Sequence, residues 1–305
     1  MEVAITGASG LIGGALANRF ETEGHRVVRL VRPETTKRGG DVVRWDPTSD
    51  LIDSGGLEGI DAVVHLAGAG IGDKRWTDAR KRAILDSRTI GTTLISSALA
   101  GLQRPPRVFV SGSATGFYGD GGDRELTEQA PAGQGFRADV VRAWEASAQP
   151  AVDAGIRTVF LRTANVLSPD GGLLPYLLLP FKLGLGARFG SGRQWFPWIT
   201  LDDELNAIRF VIDDDRVHGG VNAVAPEPVT NRTFTKTLGR VLSRPTPWWA
   251  PGPVLSLIAG RERAREALLS SAKVVPAVLD EAGFTFGDSN LEAALRRVLS
   301  RPPRP

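Results

Sequence analysis

The stretch MEVAITGASGLIGGAL, residues Met1–Leu16, decides the fold that the sequence predicts. Glu2–Thr6 is a short apolar run typical of a buried strand, and Leu11–Phe20 places apolar residues on one face of a helix. Three glycines with the spacing G-x-x-G-x-x-G join the two. A strand, a glycine-rich turn and a helix in this order predict the start of a dinucleotide-binding βαβ unit.

Each glycine of this loop has a mechanical purpose. Gly7 permits the sharp turn out of the strand, Gly10 lets backbone approach a pyrophosphate, and Gly13 lets the helix pack on the strand. The helix N-terminus adds N–H donors and the positive end of a dipole. An ordinary strand-to-helix turn is the alternative. We predict that the phosphates of a dinucleotide contact Gly7, Ser9, Gly10, Leu11, Ile12 and Gly13.

The end of the second strand indicates which dinucleotide is bound. His25–Val31 reads as a strand, and Arg32 follows it directly. An acidic residue there would bind the ribose hydroxyls of NAD, whereas arginine suits the additional 2′-phosphate of NADP. A surface arginine that merely follows a strand is the alternative. The sequence predicts NADP, with Arg32 in contact with it.

Strands and helices continue to alternate along the first half of the chain. The pattern predicts strands at 61–66, 107–113 and 157–162 and helices at 78–102 and 138–154. This rhythm is typical of an α/β fold with a doubly wound parallel Rossmann-type sheet. Ligands of such sheets lie beyond the carboxyl ends of the strands, where Leu66 ends one strand and precedes Ala67 and Gly68, and Ser113 ends another.

The alternation stops near Val166, where prolines, glycines and tryptophans become frequent. We predict that residues 1–166 form the NADP-binding Rossmann domain and that residues 200–227 return to it. Residues 167–199 and 228–305 form a smaller C-terminal substrate lobe in this prediction.

Composition excludes several classes of function. The chain has 305 residues, no cysteine, three histidines and a formal net charge of +3. Disulfides and thiol nucleophiles are therefore absent, and we expect no metal site. The chain has no G-x-S-x-G elbow and no Walker A lysine after the glycine loop. We expect a cytoplasmic protein without signal peptide, transmembrane segment, nucleic-acid partner or membrane partner.

Three motifs resemble the extended short-chain dehydrogenase/reductases, the superfamily of nucleotide-sugar epimerases and dehydratases. They are TGASGLIG at 6–13, HLAG at 65–68 and SGSATGFYGD at 111–120. The blocks RWTDARKRAILDSR at 75–88, GSGRQWFPWITLDDE at 190–204 and PAVLDEAGFTF at 276–286 are similar to an atypical branch, the "epimerase family". This resemblance covers nearly the whole chain.

The resemblance carries expectations about the cofactor and the assembly. It implies contacts to NADP from Val31–Arg32, from Leu66–Ala67, from Arg88 and from Asn165. It also implies a homodimer, since members of the superfamily commonly associate through the helices after the fourth and fifth strands.

The standard proton-transfer dyad of the superfamily is missing. That dyad is a tyrosine four residues before a lysine, which lowers the pKa of the phenol. The chain has two tyrosines and no Tyr-x-x-x-Lys; Phe136 and Val140 stand at the corresponding positions. Ser113 is where the superfamily's substrate-orienting hydroxyl would be, with a structural bond to backbone as the alternative. Tyr118 is a second candidate, as an acid–base group or as a residue packed near the nicotinamide.

The block GSGRQWFPW at 190–198 predicts a pocket for a small-molecule substrate. Arg193 and Gln194 have the chemistry to hold an anionic or polyhydroxy ligand, and Trp195 can stack on it. A packing loop is the alternative. Two functions follow: an NADP-dependent oxidoreductase or epimerase-like enzyme on a small polar or sugar-like substrate, or a non-catalytic NADP-binding regulator or scaffold.

Overall fold

The structure is a computed structural model that describes residues 1–35, 41–72 and 74–300. Its strands, in chain order, are β1 Glu2–Thr6, β2 Arg26–Val31, β3 Asp41–Asp46, β4 Leu51–Ile52, β5 Ala62–His65, β6 Val108–Ala114, β7 Glu125–Leu126, β8 Arg157–Thr163, β9 Asn165–Ser168, β10 Gly171–Gly172, β11 Ala187–Phe189, β12 Trp198–Thr200, β13 Gly219–Ala223, β14 Trp248–Ala250 and β15 Lys273–Val274. Its helices are α1 Leu11–Thr22, α2 Asp78–Ala100, α3 Phe136–Ala146, α4 Gln149–Asp153, α5 Leu174–Lys182, α6 Leu201–Asp213, α7 Asn231–Val241, α8 Gly252–Ala259, α9 Arg261–Arg263, α10 Ala277–Ala282 and α11 Leu291–Ser300.

A large sheet organises the described residues, with the strand order β13-β8-β6-β5-β1-β2-β3-β4. β1 pairs in parallel with both β2 and β5, and the parallel pairing continues to β3 and to β6. The chain therefore builds outward from β1 in both directions, which confirms the predicted doubly wound α/β fold. The point where the strand order reverses lies between β1 and β5, and ligands of open parallel sheets bind there.

The central strands are buried on both faces, as helices on each side of a parallel sheet require. Val3, Ala4 and Ile5 in β1 are fully buried. α1 packs Leu16 and Phe20 against the sheet. Burial of side chains of this size contributes about 1.5–3 kcal/mol each, so β1 and α1 anchor the glycine loop at both of its ends.

The predicted strands and helices of the first half are present, with ends that shift by a residue or two. One prediction is wrong: residues 138–154 are not one helix. They form α3 and α4, separated near Ala148. Pro150 lies in the first turn of α4 and has no N–H for an i to i−4 bond, so the α3 helix cannot continue through it.

The chain divides into two units by its contacts. Unit 1 is Met1–Ser113, Val140–Leu161 and Ile208–Val221, and unit 2 is Ala114–Asp139, Arg162–Ala207 and Asn222 onward. The prediction from sequence placed residues 114–139 in the nucleotide-binding domain. They group with unit 2 because β7 pairs with β15, and because Glu266 accepts hydrogen bonds from the backbone N–H groups of Phe136 and Arg137.

Within the described part of the chain, no helix has the length and apolar character needed to cross a membrane.

The close packing of α1 on β1 predicts a steep cost for a side chain at Gly13. A Cβ there would lie 2.3 Å from the carbonyl oxygen of Gly7. We expect Gly13→Ala to lower the free energy of unfolding by about 1–3 kcal/mol, measured by urea denaturation. Gly14→Ala is the matched control, because its Cβ would lie 3.3 Å from Ala8 O. A smaller loss for Gly13→Ala than for Gly14→Ala would contradict this packing argument.

Candidate functional site

The glycine loop lies against the end of β5, at the point where the strand order reverses. Gly7 has a left-handed backbone with φ of +68°, and a Cβ there would lie 2.9 Å from Leu66 C. The loop closes with a bond from Gly10 N to Gly7 O at 2.9 Å. Only glycine at position 7 permits both the turn and this approach. The predicted contacts Gly7, Leu66 and Ala67 are therefore brought together.

The hydroxyl of Thr6 ties the two strand ends. It accepts hydrogen bonds from Leu66 N at 3.0 Å and Ala67 N at 3.1 Å. The same oxygen lies 2.8 Å from Nδ1 of His65. Because two N–H groups already donate to its oxygen, the hydroxyl must donate its hydrogen bond to Nδ1; that nitrogen carries no proton, so the histidine is neutral. Burial also lowers the pKa of His65 to about 3.

The N-terminus of α1 suits a pyrophosphate. Gly10 is its N-cap, and over this fully described segment no side chain caps the helix and no acidic residue lies in its first turn. Ser9 and Gly10 are exposed, while Leu11 and Ile12 are half-buried. Unpaired N–H groups and the positive end of the helix dipole attract an anion at this position. This end of α1 can therefore hold an anionic group such as a pyrophosphate.

The end of β2 presents arginines. Arg32 is 71% exposed and lies 4.0 Å from the carboxylate of Glu34. Arg44, which sequence reasoning missed, donates to the carbonyl oxygens of Arg32 and Thr35 at 3.0 and 2.8 Å. Arg44 lies in β3 opposite Val31. It braces the backbone that carries Arg32, and only the pairing of β2 with β3 reveals this role.

Arg88 lies beside the loop that follows β5. Its guanidinium donates to Ala69 O at 2.9 Å and stacks over the ring of Trp144 at 4.8 Å. A Cβ on Gly68 would lie 3.4 Å from its Cζ. Burial and the neighbouring Arg80 lower the pKa of Arg88 to about 10. The predicted contacts Gly68 and Arg88 are thus neighbours in unit 1.

Ser113 has an acidic partner that sequence reasoning did not pair with it. Its Oγ donates to Oε1 of Glu145 in α3 at 2.6 Å. Ser113 is 5% exposed, and Glu145 is half-buried. Trp144 packs against Gly112, whose Cβ would lie 3.0 Å from the indole. A hydroxyl bonded to a carboxylate is an arrangement that can move a proton. The packing of α3 on the end of β6 creates it.

Tyr118 belongs to unit 2, where a buried network occupies its hydroxyl. The hydroxyl donates to Asn222 Oδ1 at 2.7 Å and accepts from Arg162 Nη1 at 3.0 Å. Arg162 also stacks on Phe117, with 3.5 Å between Cζ and the ring centroid. Burial raises the pKa of Tyr118. Such a hydroxyl is suited to holding unit 2 together, and the function proposed below does not use it.

The other predicted site residues of unit 2 lie in its loops. Asn165 donates through its amide to Pro197 O at 2.8 Å. Gln194 is buried and donates to Phe189 O and Leu268 O, each at 3.0 Å. The indole of Trp195 donates to Asp123 at 3.0 Å. The side chain of Arg193 is exposed. Gln194 and Trp195 therefore brace the loop that presents Arg193.

The first turn of α6 buries a carboxyl group. Glu204 is fully buried, accepts from the Thr163 hydroxyl at 2.7 Å, and has no partner for Oε2 among the described residues. Burial raises its pKa to about 8, so the carboxyl is neutral at pH 7. Across the described ranges, no group of three or more His, Asp or Glu side chains is placed to hold a metal ion.

Comparison with known families identifies two matching regions. The model of the NAD dependent epimerase/dehydratase family matches residues 3–225. A domain of unknown function, DUF1731, matches residues 250–298. Epimerase family protein Mb2239 of Mycobacterium bovis is 40% identical over 300 residues, which are 98% of this chain and 98% of the relative.

Two solved structures are similar over almost all of this chain. Human epimerase family protein SDR39U1 (isoform 2), solved with NADPH, is 34% identical with a TM-score of 0.88 and covers 98% of this chain and 99% of its own. A nucleoside-diphosphate sugar epimerase of Corynebacterium glutamicum is 38% identical with a TM-score of 0.80. That match covers 98% of this chain and 58% of the other.

Arg32, directly after β2, predicts how the choice of cofactor responds to substitution. We expect Arg32→Ala to weaken NADPH binding by about ten- to a hundredfold, because a charged hydrogen bond to the 2′-phosphate is lost, and to leave NADH binding unchanged. Titration followed by cofactor fluorescence measures both. Arg29→Ala is the matched control, because both terminal nitrogens of Arg29 are bonded to Glu21 at 2.6 and 2.8 Å. An equal loss for both nucleotides in Arg32→Ala would contradict the assignment.

Glu204 predicts a pH dependence of stability. Its pKa is about 8 in the folded chain against the ordinary glutamate value of 4.5, so the proton is held more tightly in the folded state. Its contribution is complete below pH 4.5 and is lost as the pH rises through 8, at up to about 1.4 kcal/mol per pH unit. Glu204→Gln removes this titration and keeps the acceptor for Thr163.

We expect the free energy of unfolding of Glu204→Gln, measured in urea at several pH values between 5 and 8, to rise relative to the wild type as the pH increases. Glu281→Gln, at an exposed glutamate of α10, is the control and should follow the wild type. Parallel curves for Glu204→Gln and the wild type would show that Glu204 does not hold its proton.

Proposed function

Because the chain belongs to the NAD dependent epimerase/dehydratase family, we propose that it is an NADP-dependent oxidoreductase or epimerase-like enzyme. Its substrate in this proposal is small and polar or sugar-like. The bond between Ser113 and Glu145 is the observation that carries the proposal, because it supplies a proton-handling pair to a chain that has no Tyr-x-x-x-Lys. The open N-terminus of α1 supports the binding of a dinucleotide.

The preference for NADP rests on charge. Arg32 follows β2 where NAD-binding proteins carry an acidic residue, and Arg44 fixes the backbone of Arg32. The similar human protein was solved with NADPH. Bound NADPH supplies a hydride to a carbonyl carbon.

The residues of unit 1 then have distinct roles. The Ser113 hydroxyl contacts the substrate oxygen and orients it. In the oxidation direction, Ser113 Oγ takes the proton of the carbinol as its own proton passes to the Glu145 carboxylate, 2.6 Å away. In the reduction direction, the protonated Glu145 carboxyl returns a proton to Oγ as the Ser113 proton passes to the carbonyl oxygen. Within unit 2, the exposed Arg193 has the charge to bind an anionic or polyhydroxy ligand. The similar protein from Corynebacterium glutamicum is named a sugar epimerase, which agrees with this substrate class.

Loss of the standard dyad favours a second function, a non-catalytic NADP-binding regulator or scaffold. Positioned proton transfer contributes on the order of 10²–10⁴-fold to a rate, so a chain without it would bind the cofactor and turn over nothing. The two functions differ in one measurable property, which is consumption of NADPH in the presence of a carbonyl compound.

A carbonyl and nucleotide-sugar panel tests the proposal, with NADPH absorbance and product mass followed together. We expect turnover of at least one compound, reduced about 10²–10⁴-fold in Ser113→Ala and in Glu145→Gln, with NADPH affinity unchanged. Ser111→Ala is the matched control, since Ser111 lies on the same strand and its hydroxyl donates to the neighbouring Gly112 O at 3.4 Å. Tight NADPH binding without turnover would favour the regulator, and full activity of Ser113→Ala would remove Ser113 from the mechanism.

A further inference from the structure

Unit 2 exposes large apolar side chains on two helices. On α5 and the turn after it, Tyr176, Leu179 and Leu183 recur at helical spacing and are 72%, 66% and 66% exposed. On α8, Leu257 and Ile258 are 80% and 74% exposed. The opposite side of each helix is buried. Each helix is therefore anchored on one side and presents an unpartnered apolar side to its surroundings.

The two helices are linked by a pair of tryptophans. Trp248 and Trp249 are more than half exposed, and their strand β14 pairs with β11. The indole of Trp248 donates to Gly184 O at 3.0 Å, directly after α5. Leu269 lies beside both the end of β11 and the start of α8. We call the exposed side chains of this surface the apolar face: Tyr176, Leu179, Leu183, Leu185, Trp248, Trp249, Val254, Leu257 and Ile258.

An apolar face of this extent has an energetic consequence. Soluble monomers rarely expose contiguous apolar patches above a few hundred Å², and larger ones mark interaction sites. The apolar face has nine exposed apolar residues, and removing each of them from water would lower the free energy.

The charges around the apolar face discriminate between its partners. The segments that form it, residues 171–200 and 228–261, contain no aspartate or glutamate, and the acids that directly flank them are Asp170, Glu227 and Glu262. The same segments contain eight basic residues: Lys182, Arg188, Arg193, Arg232, Lys236, Arg240, Arg244 and Arg261. Of these, Arg240 is bonded to Glu292 of α11. Arg244 donates to Lys182 O, so these two cations lie at the end of α5.

We propose that the apolar face docks on the surface of an anionic lipid bilayer. Exposed leucines and tryptophans enter the boundary between headgroups and acyl chains, and the surrounding lysines and arginines bind anionic headgroups. A contact with a second copy of this chain would set cations against cations with no carboxylate from these segments to pair them. The sequence predicted no membrane partner because no segment can span a bilayer; docking on its surface needs no spanning segment.

Co-sedimentation of the full chain with vesicles tests the proposal. We expect binding to vesicles of phosphatidylcholine with phosphatidylglycerol, weaker binding to phosphatidylcholine alone, and a loss of that difference at high salt. The double variant Leu257→Asn, Ile258→Asn should bind the anionic vesicles at least about tenfold more weakly. The double variant Lys182→Glu, Arg261→Glu should lose the preference for anionic vesicles.

Leu51→Asn is the matched control, because Leu51 is 59% exposed on β4, outside the apolar face. This variant should bind vesicles like the wild type. NADPH affinity and urea unfolding establish that each variant is folded. Light scattering gives the oligomeric state. Two results would overturn the proposal: equal sedimentation of wild type and the Leu257, Ile258 variant, or a dimer that this variant dissociates while vesicles bind neither.

Discussion

One hydroxyl, that of Thr6, fixes the edge of the sheet on which the candidate site is built. It accepts hydrogen bonds from two backbone N–H groups of the turn after β5 and donates one to Nδ1 of His65. These bonds hold the ends of β1 and β5 in register where the strand order reverses. Because the hydroxyl donates its only hydrogen to Nδ1, that nitrogen carries no proton and His65 is neutral. His65 is therefore part of the scaffold.

The glycine loop depends on that register. Gly7 can approach Leu66, and Gly13 can approach Gly7, only because neither has a side chain. The N-cap residue Gly10 also has no side chain, so the N-terminus of α1 has no capping side chain. In an ordinary helix a Ser, Thr, Asp or Asn would satisfy those donors. Here the donors remain available to an anion. The missing cap lowers the stability of the helix, and the same missing cap leaves N–H donors that a phosphate can bind.

The groups that we propose for proton transfer differ from the standard dyad of the superfamily. Phe136 and Val140 replace the tyrosine and lysine of the standard dyad, and the hydroxyl of Tyr118 is committed to Asn222 and Arg162. A hydroxyl and a carboxylate, Ser113 and Glu145, lie together instead. Both residues belong to unit 1.

The sequence by itself determined the α/β class, the glycine loop and the strand end at Arg32, because these depend on local periodicity and on backbone conformations that only certain residues adopt. The helix predicted from the sequence was wrong near Pro150, because the prediction extended one helical pattern through a proline. Tertiary structure alone decided that Arg44 braces Arg32, that Glu145 meets Ser113 and that Gln194 is turned toward backbone carbonyls. Those contacts join residues from different strands, helices and loops, whose juxtaposition is set by packing and strand pairing rather than by neighbours in the chain.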